Sequence, residues 1–287
     1  MERILFVFFI CLHTACTSDG QPVEDTVPAR TDSVAPIINP SGKTVETRFP
    51  APAGYVRLPA DSTTFAAYLR RFPLLPDGSP VLLFNGRPKA RQDVHAAVLD
   101  IDVGKRNLQQ CADAVMRLRA EYLFAQKRYA AIHFNFSNGF RADYARWRLG
   151  ERIRVDGSRV SWVGGGATSG SYSSFRAYLD MVFAYAGSAS LEREMRSVEP
   201  AQLRAGDVWI KGGYPGHAVI VMDVAVHPDS GETLFLLAQS YMPAQQIHVL
   251  RNPAAGESPW YSSLTLQDGL QTPEWFFEPG HLRRVAD

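Results

Sequence analysis

Two side chains in this chain could act together in nucleophilic chemistry: Cys111 and His217. The thiolate, not the thiol, attacks, so a reactive cysteine needs a neighbour that lowers its pKa or takes its proton. Cys111 sits in Asn107-Leu108-Gln109-Gln110-Cys111-Ala112-Asp113, where a long helical pattern begins and runs to about Lys127. With Asn107 as the cap, Cys111 closes the first turn, and the positive end of the helix dipole stabilises a thiolate there. The same cysteine lies on an apolar stripe with Leu108, Val115, Leu118 and Tyr122. On that stripe it also reads as a small buried hydrophobe.

His217 follows Gly206-Asp207-Val208-Trp209-Ile210 and a glycine-rich turn, Gly212-Gly213-Tyr214-Pro215-Gly216, and opens the apolar run Ala218 to Val224. This order predicts a strand, a turn and a second strand with the imidazole at the mouth of the sheet. The glycines leave room for another backbone, such as a peptide substrate, to approach. A base of this kind needs a third group to orient it. Asp223 has the strand parity of His217, but six residues of strand put it roughly 20 Å away. A hairpin turning at Pro228-Asp229-Ser230-Gly231 brings Gln239 to Met242 back beside His217, with Gln239 favoured over Ser240. A neutral amide can fix an imidazole tautomer without carrying charge. The alternative is structural: His217 caps a strand end and Gln239 satisfies backbone groups. Trp209 and Tyr214 flank the expected cleft and could line a substrate groove.

The segment Gly206-Asp207-Val208-Trp209 … Gly216-His217-Ala218-Val219-Ile220-Val221 resembles the base-bearing part of the CHAP and NlpC-type cysteine amidases and peptidases. In those papain-like enzymes the nucleophile opens a helix and the histidine comes later, at the start of a core strand. Cys111 before His217 has that order. The resemblance implies an α+β, papain-like fold and thiol hydrolysis of cell-wall or other envelope peptides. The oxyanion would be held by the Cys111 backbone N–H and a second donor, with Gln109 and Gln110 as candidates. The whole chain also resembles an uncharacterised family of Bacteroidetes-type lipoproteins carrying a domain of unknown function, through segments such as Ala238-Gln239-Ser240-Tyr241-Met242-Pro243-Ala244-Gln245. A non-enzymatic envelope lipoprotein that binds a partner or glycan with the same fold is the alternative.

The elements that must position these residues follow from pattern. Asp61 or Ser62 caps a short helix ending at Pro73. Val81 to Phe84, before Asn85-Gly86, predicts a strand paired with Ala96 to Val103. Alternation at Ile132, Phe134 and Phe136 predicts a strand ended by Asn138-Gly139, and Arg152 to Val163 around Asp156-Gly157 predicts a hairpin. Ser171 to Ala186 is a second helix, and Ser188 caps a third. From Val208 the chain is strand-rich. Helices followed by an antiparallel sheet define α+β. The long stretch between Cys111 and His217 is then a helical insertion.

At the N-terminus, Arg3 precedes the apolar run Ile4 to Leu12, which has signal-peptide length and is too short to span a bilayer. Thr14-Ala15-Cys16 resembles a lipobox. The expected organisation is a signal over 1–16, lipid on Cys16, a Pro/Ser/Thr-rich tether over 17–48 and one domain over 49–287. The expected location is the cell envelope, at the outer membrane, with the membrane as a partner through the anchor. Cys11 then leaves with the signal, and Cys111 is the sole free thiol of an exported chain, a hazard that calls for a reason.

Composition excludes several other classes. Thirty basic and 29 acidic residues leave a net charge of +1, without the cationic excess of a nucleic-acid binder. Three cysteines cannot staple a 287-residue chain. His95, His133, His227, His248 and His281 lack metal-ligand spacing. Gly164 to Gly170 lacks the lysine of a phosphate loop. No metal or other cofactor is therefore expected.

Overall fold

The structure is a computed structural model that describes Met1 and residues 37–285. The expected signal, Cys16 and most of the tether lie outside the described residues. Residues 37–285 fall in one compact unit. Residues 45–48, expected as the end of the tether, are helical. A four-residue helix, α1 (Val45–Arg48), is capped by Thr44 and buries Val45 and Arg48.

The long apolar runs near the C-terminus become the centre of a nine-stranded antiparallel sheet. Its strands are β1 (Val56–Arg57), β2 (His95–Val98), β3 (Met195–Ser197), β4 (Val208–Lys211), β5 (His217–Val226), β6 (Thr233–Gln239), β7 (His248–Leu250), β8 (Tyr261–Ser262) and β9 (Leu282–Val285). The order is β2-β7-β6-β5-β4-β9-β3, with β1 added on β5 and β8 on β6. Nine of the ten residues of β5 are buried, because both faces of the sheet are covered. That explains a strand that reads as a continuous apolar run rather than an alternation. Ala218, Ile220 and Met222 face the larger core, and Val219 and Val221 face a smaller one with Trp209, Phe235, Leu237 and Phe277.

The larger core is roofed by α2 (Phe65–Arg70), α3 (Cys111–Ala125), α4 (Tyr144–Arg148), α5 (Tyr172–Tyr185) and α6 (Ser188–Arg193). Helix α3 packs on β5 and β6 with Val115, Met116, Leu118 and Tyr122 buried. It begins three residues later than the Asn107 cap predicted. The cap is Gln110, whose backbone N–H donates to Asp113 Oδ2 at 2.9 Å. An acidic side chain three residues into the helix satisfies an end donor that has no partner within the helix. Cys111 is therefore the first residue of the helix rather than the end of its first turn.

Three other expectations change. Helix α2 is capped by Thr64, not Asp61 or Ser62. Residues 81–84 form isolated bridges, Leu82 with Pro88 and Leu83 with Gln245, while β2 pairs with β7 instead. Asp223 does not share a face with His217. Leu236 pairs with Asp223 but Leu237 pairs with Val221, so one residue bulges and the parity reverses. Asp223 is turned to the helical side, where Arg57 Nε (2.6 Å) and Arg70 Nε (2.8 Å) grip it.

The mixed α+β class, the run of antiparallel strands from Val208 to Leu250 and the packing of the Cys111 helix across them are as the sequence predicts. The expected hairpin pairs Arg152–Asp156 with Arg159–Val163, and the strand expected at Ile132 to Phe136 forms as His133–Asn135, paired with an unforeseen partner, Arg141–Asp143.

Candidate functional site

A cleft of about 830 Å³ opens where the start of α3 meets the starting end of β5. Cys111, Gln110, Asp113, His217, Tyr214, Tyr241 and Trp275 line it. Cys111 is half-buried, and the backbone N–H groups of Ala112, Ala218 and Cys111 itself face its sulfur. Ala218 follows His217, so the thiol sits at the same strand end as the imidazole. The pair is assembled from the two sides of the sheet: α3 covers the Ala218 face, while His217 has the parity of Val219. Both line the cleft because each is the first residue of its element.

His217 is 1% exposed. Its ring is enclosed by Tyr241 (centroids 4.9 Å apart), Trp275 (5.3 Å) and Phe277 (5.8 Å). Its Nε2–H donates to Gln239 Oε1 at 2.8 Å, which leaves Nδ1 as the basic ring atom. Gln239 reaches it as the diagonal neighbour across β5 and β6, one step beyond the Ala238–Ile220 pair. Gln239 Nε2 in turn donates to Glu274 Oε2 at 2.8 Å, and Lys89 Nζ donates to Glu274 Oε1 at 2.7 Å.

Burial sets the charge state. It pushes the Cys111 thiol up to about 11, with the Asp113 carboxyl adding to the shift, against the pull of the three N–H groups. It pushes the His217 imidazole down to about 4. Both groups are neutral at pH 7, in place of the thiolate–imidazolium pair that a helix-start cysteine suggests. The dipole effect is outweighed because desolvation of a buried charge costs more than one helix end returns. Asp113 is itself held up to about 8 by burial; its Oδ1 is buried without a hydrogen-bond partner.

The structure brings together Cys111, His217, Gln239, Gln110 and Tyr214. It separates two others. Gln109 is 1% exposed, with Oε1 accepting from Arg117 Nη1 at 3.0 Å under the helix start. It is not an oxyanion donor; adjacent residues at a helix start diverge, and only Gln110 faces the cleft. Trp209 does not line this cleft. It shares the sheet face of His217 but pairs with Val219, two residues further along the strands, where it stacks on Phe235 at 5.0 Å in the smaller core. The turn glycines serve the chain itself. A Cβ on Gly216 would collide with the carbonyl oxygens of Gly213 and Lys211 and with Ser188 Oγ. Asp207 is an anchor: Oδ1 and Oδ2 take Arg284 Nε at 2.5 Å and Nη2 at 2.7 Å, tying the last strand to the fold.

Sequence reasoning missed Asp113, Glu274, Lys89 and His248. Asp113 had a signal, an acid three residues beyond the cap. Glu274 and Lys89 had none, since they lie 185 residues apart. Among the described residues, no three His, Cys, Asp or Glu side chains gather to hold a metal ion.

The described chain is thus a mixed α+β protein with an aromatic-walled cleft holding a cysteine, a histidine and a glutamine. The chain belongs to the DUF4846 family, described as a domain of unknown function, whose model matches residues 45–284. No curated protein and no solved structure matches it.

Proposed function

We propose that the protein is a cell-envelope lipoprotein acting as a papain-like thiol hydrolase, an amidase or peptidase, on cell-wall or other envelope peptides. The observation that carries the reading is the His217–Gln239 hydrogen bond at the edge of a cleft that Cys111 also lines. It supplies a base with a fixed tautomer beside a nucleophile at a helix start.

In this mechanism Nδ1 of His217 takes the Cys111 proton as sulfur attacks an amide carbonyl carbon. The Cys111 backbone N–H and the Gln110 side chain stabilise the oxyanion. The imidazolium returns the proton to the leaving nitrogen, the C–N bond breaks, and a thioester remains. Water, deprotonated by His217, then releases the acid and restores the thiol. The ion pair forms along the reaction rather than beforehand, since both partners rest neutral. Tyr214, 97% exposed at the rim, is placed to contact the bound chain.

The test is hydrolysis of purified cell-wall peptides by the full chain, read as new amino termini. Cys111→Ser and His217→Ala should each abolish turnover; full-rate hydrolysis by Cys111→Ser would end the assignment. For the anchor, Cys16→Ser should release the protein from membranes of its host, and unchanged membrane association would refute lipidation. One observation favours a second reading: a thiol held at about 11 is not pre-activated. In that reading the same cleft binds an envelope partner or glycan without turnover.

A further inference from the structure

Beyond the cysteine, histidine and glutamine lies a buried charged pair for which the chemistry so far has no use. Lys89 is 8% exposed and Glu274 10%, and they bond at 2.7 Å. Removing two charges from water is costly, and such a pair is seldom the most stabilising choice for its volume. Its position suggests another role. Glu274 spends one oxygen on Lys89 and the other on Gln239 Nε2.

A carboxylate can only accept, so the Gln239 atom facing Glu274 must be its N–H₂. A second constraint agrees. His248 Nδ1 lies 3.0 Å from the Gln246 carbonyl, which also only accepts, so Nδ1 carries the proton and Nε2 of His248 is bare. Gln239 Nε2 lies 3.4 Å from that bare nitrogen. Both amide hydrogens are thus committed, and Oε1 has one remaining direction, toward His217. An oxygen there requires a proton on His217 Nε2.

We propose that Glu274, held by Lys89, is a positioning residue that fixes the flip of Gln239 and thereby sets His217 in the Nε2–H tautomer, opposite to that of its neighbour His248. Gln239 is the neutral relay through which a carboxylate acts on the imidazole. The negative charge stays out of contact with the ring, and the buried group as a whole is uncharged. Lys89 has a further contact on the same wall, with Nζ 5.1 Å from the centre of the Tyr241 ring that packs on His217. The tautomer assignment stands on hydrogen bonding alone; its kinetic consequence rests on the thiol-hydrolase reading.

The experiment labels the histidines of the full chain with ¹⁵N and reads each tautomer at pH 8 from long-range ¹H–¹⁵N couplings. His217 should show a pyrrole-like Nε2 and a bare Nδ1, and His248 the reverse. Both charges are then removed together in K89M/E274Q, so that no lone charge is buried. Gln239 can now turn over, and His217 should become a mixture of tautomers while His248, anchored by Gln246, keeps its own and reports an intact sheet. Turnover should fall about tenfold or more in kcat with little change in KM. Arg91→Met, which cuts the Arg91 contacts to Asp93 and to the carbonyl beside Glu274, should leave the His217 signal unchanged. A wild-type His217 protonated on Nδ1, or a double variant that keeps a pure Nε2–H signal, overturns the proposal. If the double variant does not fold, the opposite tautomers in the wild type decide it. Expected tautomers without turnover of any cell-wall peptide would remove the hydrolase reading, not the tautomer assignment.

Discussion

The charge state of Cys111 makes a prediction that sets burial against the helix dipole. With the thiol held at about 11, the thiolate is about one part in a thousand at pH 8. A cysteine at the reference value of 9.0 has about one part in ten. Alkylation by iodoacetamide should therefore run about 100-fold slower at pH 8 than for an unhindered thiol, rising tenfold per pH unit through pH 9 and 10. Asp113 gives an internal check on the cause. Its carboxyl, raised by burial to about 8, gains its charge mainly above that pH, where it opposes the thiolate. Asp113→Asn removes the charge but keeps a side chain that can accept from the Gln110 N–H. The variant should be alkylated faster than wild type, with the gain growing from pH 7 to pH 9. The assay is loss of free thiol against time in the native protein, with the unfolded chain as the reference. Native alkylation as fast as the reference with a midpoint near pH 6 would show a preformed ion pair and refute this reasoning. So would an Asp113→Asn profile identical to wild type.

Three more outcomes follow from the same contacts. Burial holds His217 below its usual 6.5, so the unfolded chain takes up a proton as pH falls through 6.5 while the folded one resists until about 4. The stability this neutral ring contributes is present above 6.5 and lost toward 4. The urea-unfolding free energy of wild type relative to His217→Phe should shrink between pH 6.5 and 4.5, and a constant difference would contradict the burial. Gln239→Ala should lower kcat about tenfold or more while Cys111 alkylation stays slow, since it removes orientation and not the base; full kcat would make Gln239 structural. Asp223→Ala strips two arginines, 22% and 13% exposed, of a carboxylate that is wholly buried. It should cost about 3 kcal/mol or more in unfolding free energy and leave the alkylation profile as in wild type; an unchanged melting temperature would refute the ion-pair role.

Local pattern carried the sequence a long way where one element decides the outcome. The run from Val208 to Leu250 shows its strands by apolar length and its hairpin by Pro228 to Gly231, and so places Gln239 beside His217. The start of α3 was blurred because Asn107 and Gln110 can both precede a helix, and Asp113, buried against Gln110, decides between them. Faces were harder. One bulge near Met222 turned Asp223 to the helical side, and no residue in Val221-Met222-Asp223 announces it. Gln109 was misplaced because proximity in sequence to a cleft residue says nothing about the direction of the side chain, and Trp209 because a shared face with His217 still leaves it two residues further along the sheet, in the smaller core. The Lys89–Glu274 support was beyond reach, because it joins two loops whose approach only the whole fold determines.

The central claim is that Cys111 forms a covalent thioester during hydrolysis, and intact-chain mass spectrometry of an acid-quenched reaction with purified cell-wall peptides tests it most directly. The wild-type chain should carry a mass increment equal to the acyl fragment, located on the peptide that contains Cys111 and absent in His217→Ala. New amino termini appearing with no increment on Cys111, or no increment and no turnover at all, would contradict it.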